Sequence, residues 1–128
     1  KDRIISSIQE MEGATTKGDT VLFIYSGHGF EVGGRQFIAP ANTLSMSSSN
    51  DISDLLLRAM FITSSSERRL VFLDSCYSGG LAEVADNSTL FIAASSASEL
   101  SVDSNTYSSG LWTHYFLQVG LIKDNYTV

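Results

Sequence analysis

Hydrophobic residues along this chain fall into two kinds of pattern, helical stripes and short unbroken runs. Apolar residues recur at helical spacing over residues 3–11 and Gly13 follows them, so a first helix is predicted there. Three short runs lack the alternation of a half-exposed strand and are typical of parallel strands buried on both faces: residues 20–25, 70–74 and 89–94.

The segment between the first two runs predicts a hairpin and a second helix. Residues 30–38 carry a Gly-Gly pair at their centre, which is the pattern of a small β-hairpin. Residues 45–50 form a polar loop, and Asn50 or Asp51 is the predicted cap of the helix that follows. The apolar stripe of that helix consists of Ile52, Leu55, Leu56, Ala59 and Met60.

A serine-rich loop over residues 95–109 separates the third run from a last helix. The order of elements predicts an α/β fold with a mainly parallel sheet, in one domain over residues 1–128. Three strands are few for a sheet that helices cover on both faces, so we expect another segment or another chain to complete it. The apolar face of the last helix consists of Leu111, Trp112, Tyr115, Phe116 and Val119.

The composition narrows the possible classes of function. The chain has a net charge of −6 and only eight Lys and Arg residues, so it offers no basic stripe for nucleic acid. No apolar run reaches the roughly 18 residues of a membrane span. The single cysteine excludes a disulfide framework and a multi-cysteine metal site, and the composition leaves the compartment open.

Two reactive side chains follow two of the predicted strands. His28 comes just after the first apolar run and Cys76 just after the second, and parallel strands end at one edge of a sheet. A thiol attacks as the thiolate, and a free cysteine has a pKa of about 8.5, so a nucleophilic Cys76 needs a proton acceptor. His28 is the candidate, because His114 is predicted on the surface of the last helix. Gly29 and Cys76 are placed to offer backbone N–H groups to a developing oxyanion.

The two strand ends carry two short motifs. Residues 25–29 read Tyr-Ser-Gly-His-Gly, and residues 74–80 read Asp-Ser-Cys-Tyr-Ser-Gly-Gly. These motifs resemble the paired signature of metacaspases and their bacterial relatives. The histidine and the cysteine are 48 residues apart (76 − 28), which suits that family. Residues 91–96 and 110–113 resemble its later blocks. The resemblance implies a caspase-like three-layer sandwich, with a mainly parallel sheet flanked by helices, of which this chain is an incomplete part.

The resemblance also implies roles for individual residues. Cys76 would be the nucleophile of a Cys–His dyad that hydrolyses peptide bonds, and His28 would be its general base and acid. Gly29 and Cys76 would give the oxyanion N–H groups. No metal or cofactor is implied, and the loop after His28 lacks the acidic cluster that calcium requires. The positions that match the substrate pocket are Asp74, Ser26 and, after a variable loop, Asp103, with which Glu99 competes.

The pocket residues predict a preference for a basic residue at P1. Two carboxylates in one cleft are costly unless a cation joins them, and Arg bridges carboxylates with charge-assisted bonds. We therefore expect cleavage of peptides or proteins after Arg, and less readily after Lys. Asp74 has an alternative role as a cap of nearby backbone N–H groups. Two other functions stay open: a caspase-fold peptidase of different P1 preference, legumain-like or separase-like, and a catalytically silent interaction module.

Overall fold

The computed structural model describes residues 1–43 and 50–123, so most of the predicted polar loop lies outside the described residues. Its helices are α1 (Asp2–Ala14), α2 (Asp54–Phe61), a 3₁₀ helix (Ser78–Val84) and a last helix of π type (Thr113–Lys123). Its strands are β1 (Thr20–Ser26), β2 (Gly29–Val32), β3 (Arg35–Ile38), β4 (Ile52–Ser53), β5 (Arg68–Asp74), β6 (Thr89–Ala93), β7 (Asp103–Ser104) and β8 (Ser109–Gly110). Within the described ranges, none of the helices combines the length and hydropathy that a membrane span requires.

The main sheet has three parallel strands in the order β1-β5-β6. This confirms the predicted α/β fold with a parallel sheet. In the register of the sheet, Ser26 at the end of β1 is level with Asp74 at the end of β5. Both strands therefore end at the same edge, and the turns that follow them start side by side.

One face of the main sheet packs against α1 and α2. The ring of Phe23 in β1 meets the ring of Phe61 in α2 edge-on, with 5.4 Å between the centroids. Burial of apolar surface in this layer is the main source of stability of the fold. The core consists of Ile8, Ile38, Ile52, Leu57, Met60, Phe61, Val71, Leu73, Leu81 and Val84.

The opposite face of the sheet is only partly covered, so the prediction that β1 and β6 are buried on both faces is wrong. Leu22 and Ile24 in β1 are 50% and 48% exposed, and Leu90 in β6 is 43% exposed. Among the described residues, the rings of Trp112, just before the last helix, and of Phe116, within it, pack on Phe72 of β5 and leave Leu22 and Ile24 open. An unbroken apolar run indicates apolar side chains on both faces, but it does not indicate which element covers them.

The start of α2 also differs from the prediction. Ser53 caps this helix, since its Oγ accepts a hydrogen bond from the Leu56 N–H at 3.2 Å, and neither Asn50 nor Asp51 does so. Ile52, which was expected in the helical stripe, lies in β4 and pairs with β3. Serine caps a helix as well as Asn or Asp does, and pairing with β3 keeps the preceding residues extended.

The predicted hairpin is confirmed as β2 and β3. Its turn has Gly33 and Gly34 at φ values of 61° and 80°, which glycine adopts without strain. β4 joins β3 and makes a second, antiparallel sheet of three strands. The serine-rich loop contains a further hairpin, β7 and β8, which the sequence did not predict.

Candidate active site

Two turns lie side by side at the carboxyl edge of the main sheet. The N–H of Gly27 donates to the carbonyl of Asp74 at 3.1 Å, which continues the pairing of β1 with β5 beyond the strands. His28 follows Gly27, and Cys76 lies two residues after Asp74. The structure thus places His28 and Cys76 on neighbouring strand ends.

The backbones of the two turns are in direct contact at Gly29. An ideal Cβ built on Gly29 would lie 2.2 Å from the Cys76 carbonyl oxygen and 2.8 Å from Ser75 Oγ. A side chain at this position would overlap the Cys76 backbone, so glycine is the residue that permits the approach. The contact holds the turn that carries His28 against the turn that carries Cys76.

The two N–H groups predicted as oxyanion donors have no partner in the described part of the chain. The Ala39 N–H donates to the His28 carbonyl at 2.9 Å, so Gly29 and Ile38 form the non-hydrogen-bonded type of antiparallel pair. The Gly29 N–H consequently points away from β3. No described residue accepts a hydrogen bond from the Cys76 N–H.

The turn at Cys76 leaves this residue partly exposed. Tyr77 has a φ of 58°, a left-handed conformation that reverses the chain between β5 and the 3₁₀ helix. The Tyr77 N–H donates to the Glu99 carbonyl at 2.8 Å. The Cys76 thiol donates a hydrogen bond to the Ser101 carbonyl oxygen, with 3.8 Å between Sγ and the oxygen. Cys76 is therefore partly open to solvent, and its thiol is bonded to the serine-rich segment.

Ser95 fixes the backbone around Cys76, a role that the sequence did not predict. Its Oγ donates to the Ser75 carbonyl at 3.0 Å and accepts from the Ser78 N–H at 3.2 Å. Its carbonyl accepts from the Gly79 N–H at 2.9 Å. The available signal was its place just after the third apolar run, because parallel order brings that strand end to the same edge as Cys76.

Asp74 is buried and bonded to the segments around it. Its carboxylate accepts from Ser101 Oγ at 3.0 Å, from the Thr113 N–H at 3.1 Å and from the Thr113 hydroxyl. The residue is 4% exposed, and an ideal Cβ on Gly110 would lie 2.2 Å from its Oδ2. This geometry is that of a cap on the backbone near the start of the last helix, which is the alternative role that the sequence offers for Asp74.

A cavity of about 330 Å³ opens beside His28. Its wall combines Ser26 and His28 with the β7–β8 hairpin, including Asp103. The structure therefore brings together three of the residues that the sequence assigned to the site. Cys76 and Asp74 are not part of this wall. Asp74 lies directly behind Gly110, which does line the cavity.

Glu99 and His114 lie outside the cavity wall. Glu99 is exposed, and its carboxylate accepts from the Ser96 N–H at 3.3 Å. The His114 ring stacks on the ring of Tyr107, with 3.7 Å between centroids, and its Nδ1 lies 2.9 Å from Gln118 Oε1. His114 is thus a packed side chain on the last helix, only partly open to solvent.

The chemistry that this edge of the sheet offers is that of a thiol. It holds a partly exposed cysteine, an exposed histidine on the neighbouring strand end and two N–H groups that have no partner among residues 1–43 and 50–123. In residues 1–43 and 50–123, no three His, Cys, Asp or Glu side chains are grouped to hold a metal ion. A nucleophile, a proton acceptor and oxyanion donors are the parts that acyl transfer needs.

Comparison with known proteins agrees with the resemblance of the two turns. The family model Peptidase_C14, described as the caspase domain, matches residues 1–125. The match includes both strand ends and nearly the whole chain. No curated protein matches the sequence at a significant level. The chain belongs to the caspase-domain family of cysteine peptidases.

Proposed function

We propose that this chain carries the catalytic centre of a cysteine endopeptidase that cleaves after basic residues, Arg in preference to Lys. The observation that carries the proposal is the contact of Gly29 with the Cys76 carbonyl, because it packs the His28 turn against the Cys76 turn. The exposure of His28 and the partial exposure of Cys76 support it. A purely structural cysteine is normally buried among apolar side chains.

Each step of peptide hydrolysis has a candidate group at this edge. The His28 imidazole takes the thiol proton of Cys76, and the thiolate forms a bond to the substrate carbonyl carbon. The N–H groups of Gly29 and Cys76 bind the oxyanion that develops. His28 then gives the proton to the leaving amine as the C–N bond breaks, which leaves a thioester on Cys76. Water, deprotonated by His28, attacks the thioester and releases the acid and the thiol.

Asp103 is the proposed partner of the P1 side chain. It is exposed on the cavity wall that also contains His28 and Ser26. A guanidinium can bind a carboxylate through two parallel hydrogen bonds, whereas an ammonium presents a single point charge, so Arg is preferred over Lys. Asp74 lies behind Gly110 of the same wall, and its negative charge adds to the attraction of the cavity for a cation.

Fluorogenic peptides with Arg, Lys, Asn or Asp at P1 test this assignment on the intact protein. We expect kcat/KM to be highest for Arg and next for Lys. Asp103→Asn is expected to lower kcat/KM for the Arg peptide by at least about tenfold, since it removes one charge-assisted pair. Glu10→Gln removes an exposed charge on α1 and serves as the matched control.

The same panel separates the competing functions. Faster cleavage of the Asn or Asp peptide than of the Arg peptide would identify a caspase-fold peptidase of a different P1 preference. A folded protein that cleaves none of the four peptides, and whose Cys76 does not react with a thiol probe, would be a silent interaction module.

We also propose that an extended apolar segment outside the described residues pairs with the free edge of β1. Among the described strands, β5 is the neighbour of β1 on one side, and the other side has none. Leu22 and Ile24 are half exposed on one face. On the other face, a groove of about 410 Å³ lies between α1 and β1. An added strand would bury apolar surface on both faces and pair the free backbone groups.

A further inference from the structure

The Tyr25 hydroxyl joins two carbonyl groups next to the His28 turn. Tyr25 Oη lies 2.8 Å from the His28 carbonyl oxygen and 2.9 Å from the Ala39 carbonyl oxygen. Because carbonyl oxygens only accept, the phenolic proton is shared between them. Tyr25 belongs to β1 and Ala39 directly follows β3, so one hydroxyl ties the main sheet to the His28 turn and to the hairpin.

The phenol is held in the protonated form that this role requires. Burial raises the pKa of Tyr25 to about 12. The hydrogen bond to the Ala39 carbonyl lowers this pKa, whereas the negative charge of Asp51 raises it further. Asp51 is 2% exposed, and its Oδ1 accepts from the Thr43 hydroxyl at 2.6 Å. At neutral pH, Tyr25 is therefore a neutral hydrogen-bond donor.

The His28 turn folds directly over the Tyr25 ring. An ideal Cβ on Gly27 would lie 2.7 Å from Tyr25 Oη and 3.0 Å from its Cζ, and the three nearest atoms all belong to Tyr25. Gly27 does not have a left-handed φ, so its backbone conformation is open to other residues. The first obstacle to a side chain at this position is the hydroxyl beneath it.

The His28 carbonyl belongs to the same peptide unit as the Gly29 N–H. A trans peptide is planar, and its C=O and N–H point in opposite directions. The His28 carbonyl oxygen accepts from the Tyr25 hydroxyl and from the Ala39 N–H at 2.9 Å. Two hydrogen bonds to one oxygen fix the direction of this carbonyl and, with it, the direction of the Gly29 N–H.

We propose that Tyr25 is a positioning residue of this site, whose hydroxyl fixes the peptide unit between His28 and Gly29 and thereby aims the oxyanion donor. This inference rests on the proposed function, because the aim of the Gly29 N–H matters only where Cys76 attacks a carbonyl. Tyr25 acts through the backbone of the turn. Its loss therefore weakens binding of the transition state more than binding of the substrate.

Tyr25→Phe removes the hydroxyl and keeps the ring. We expect kcat for the Arg peptide to fall by about 10- to 100-fold, with KM within about twofold of wild type. The reason is that a displaced oxyanion donor weakens binding of the transition state and leaves binding of the substrate unchanged. Tyr115→Phe removes an exposed hydroxyl on the last helix and is expected to leave both constants unchanged. An unchanged kcat for Tyr25→Phe, or a change confined to KM, would overturn the inference.

Alkylation of Cys76 by iodoacetamide at neutral pH separates a failure of this inference from a failure of the proposed function. His28→Ala is expected to slow the reaction at least about tenfold, since His28 takes the thiol proton. An unchanged rate in His28→Ala would contradict the dyad itself. Slowing in His28→Ala together with a wild-type kcat in Tyr25→Phe would contradict the role of Tyr25 alone.

Gly27→Ala gives a second route to the same question and does not depend on Tyr25→Phe being stable. The new methyl group displaces the Tyr25 hydroxyl, so kcat is expected to fall while KM is kept. In the double variant, which combines Gly27→Ala with Tyr25→Phe, the two losses in kcat are expected not to add, because both substitutions act through the Tyr25 hydroxyl. Full additivity of the two losses, or a wild-type kcat in Gly27→Ala, would overturn the inference.

Discussion

The backbone of Gly29 lies against the carbonyl oxygen of Cys76. An ideal Cβ built on Gly29 would be 2.2 Å from that oxygen. Gly29 follows the candidate base and starts β2, whereas Cys76 is the candidate nucleophile and follows β5. This contact fixes how closely the two turns approach each other, and the absence of one side chain makes it possible.

Gly29→Ala is expected to lower kcat/KM for the Arg peptide by at least about 100-fold, because the methyl group forces the His28 turn away from Cys76. The measurement is steady-state hydrolysis, with the melting temperature recorded in parallel to show that the variant is folded. Gly13→Ala is the matched control, since an ideal Cβ at Gly13 has no atom within 4 Å. Wild-type kcat/KM in a folded Gly29→Ala protein would contradict the assigned contact.

Asp74→Asn is expected to lower the free energy of unfolding by about 2 kcal/mol. The substitution weakens the hydrogen bonds that Ser101 and Thr113 donate to this side chain. The new amide N–H₂ group is itself a donor and would face these donors instead of accepting from them. Urea unfolding measures the change. Asp103→Asn removes the same charge from an exposed position and is expected to change the free energy by less than about 0.5 kcal/mol. Equal stability of Asp74→Asn and wild type would show that Asp74 is not a buried cap.

The ion pair of Arg69 and Asp86 is expected to make stability depend on pH. Arg69 is 5% exposed, and its Nη2 donates to both Asp86 oxygens, at 2.7 and 2.5 Å. The hydrogen bond from Arg69 is the main cause that lowers the pKa of Asp86 below its usual range. Because the pKa of Asp86 is lower in the folded than in the unfolded state, the pair stabilises the fold at pH values above the unfolded-state pKa of about 3.9. This stabilisation is lost as the pH falls through the pKa of the folded state.

Urea unfolding of wild type and Asp86→Asn between pH 7 and pH 3 checks this dependence. The difference in free energy is expected to be constant near neutral pH and to shrink below about pH 4. Glu67→Gln is the control, because its pair with Lys17 is exposed and contributes less than about 0.5 kcal/mol at neutral pH. A difference that stays constant down to pH 3 would contradict the assignment of the shift to Asp86.

Ile24→Lys tests the segment proposed to pair with β1. Ile24 and Leu55 are equally exposed in the described residues, at 48% and 47%. If an added strand covers β1, Ile24→Lys buries a charge in the intact protein and lowers the free energy of unfolding by about 2 kcal/mol or more, whereas Leu55→Lys does not. Equal, small effects of the two substitutions in the intact protein would show that this edge stays open.

The positions of His28 and Cys76 could be predicted because one rule fixes them. Parallel strands end at a common edge, so reactive residues that directly follow two neighbouring strands, here β1 and β5, lie close together. The hairpin followed from its glycine pair for a similar local reason. Both inferences start from short stretches of sequence, although the pairing of β1 with β5 joins segments that are far apart along the chain.

Other features depend on contacts between distant segments and left no local signal. The burial of Asp74 results from Ser101 and Thr113, which lie far along the chain. The β7–β8 hairpin has strands of two residues, too short for a periodic pattern. The cap of α2 depended on whether Ile52 pairs with β3, which no local pattern decides.

Hydrolysis of the Arg-P1 peptide by the intact protein, compared with its Cys76→Ala and His28→Ala variants, tests the central claim most directly. We expect turnover by wild type and a fall of at least about 10³-fold in each variant, with the fold unchanged, because nucleophile and base act as one unit. Turnover by Cys76→Ala at the wild-type rate would contradict the account, since the bond would then be broken without the thiol.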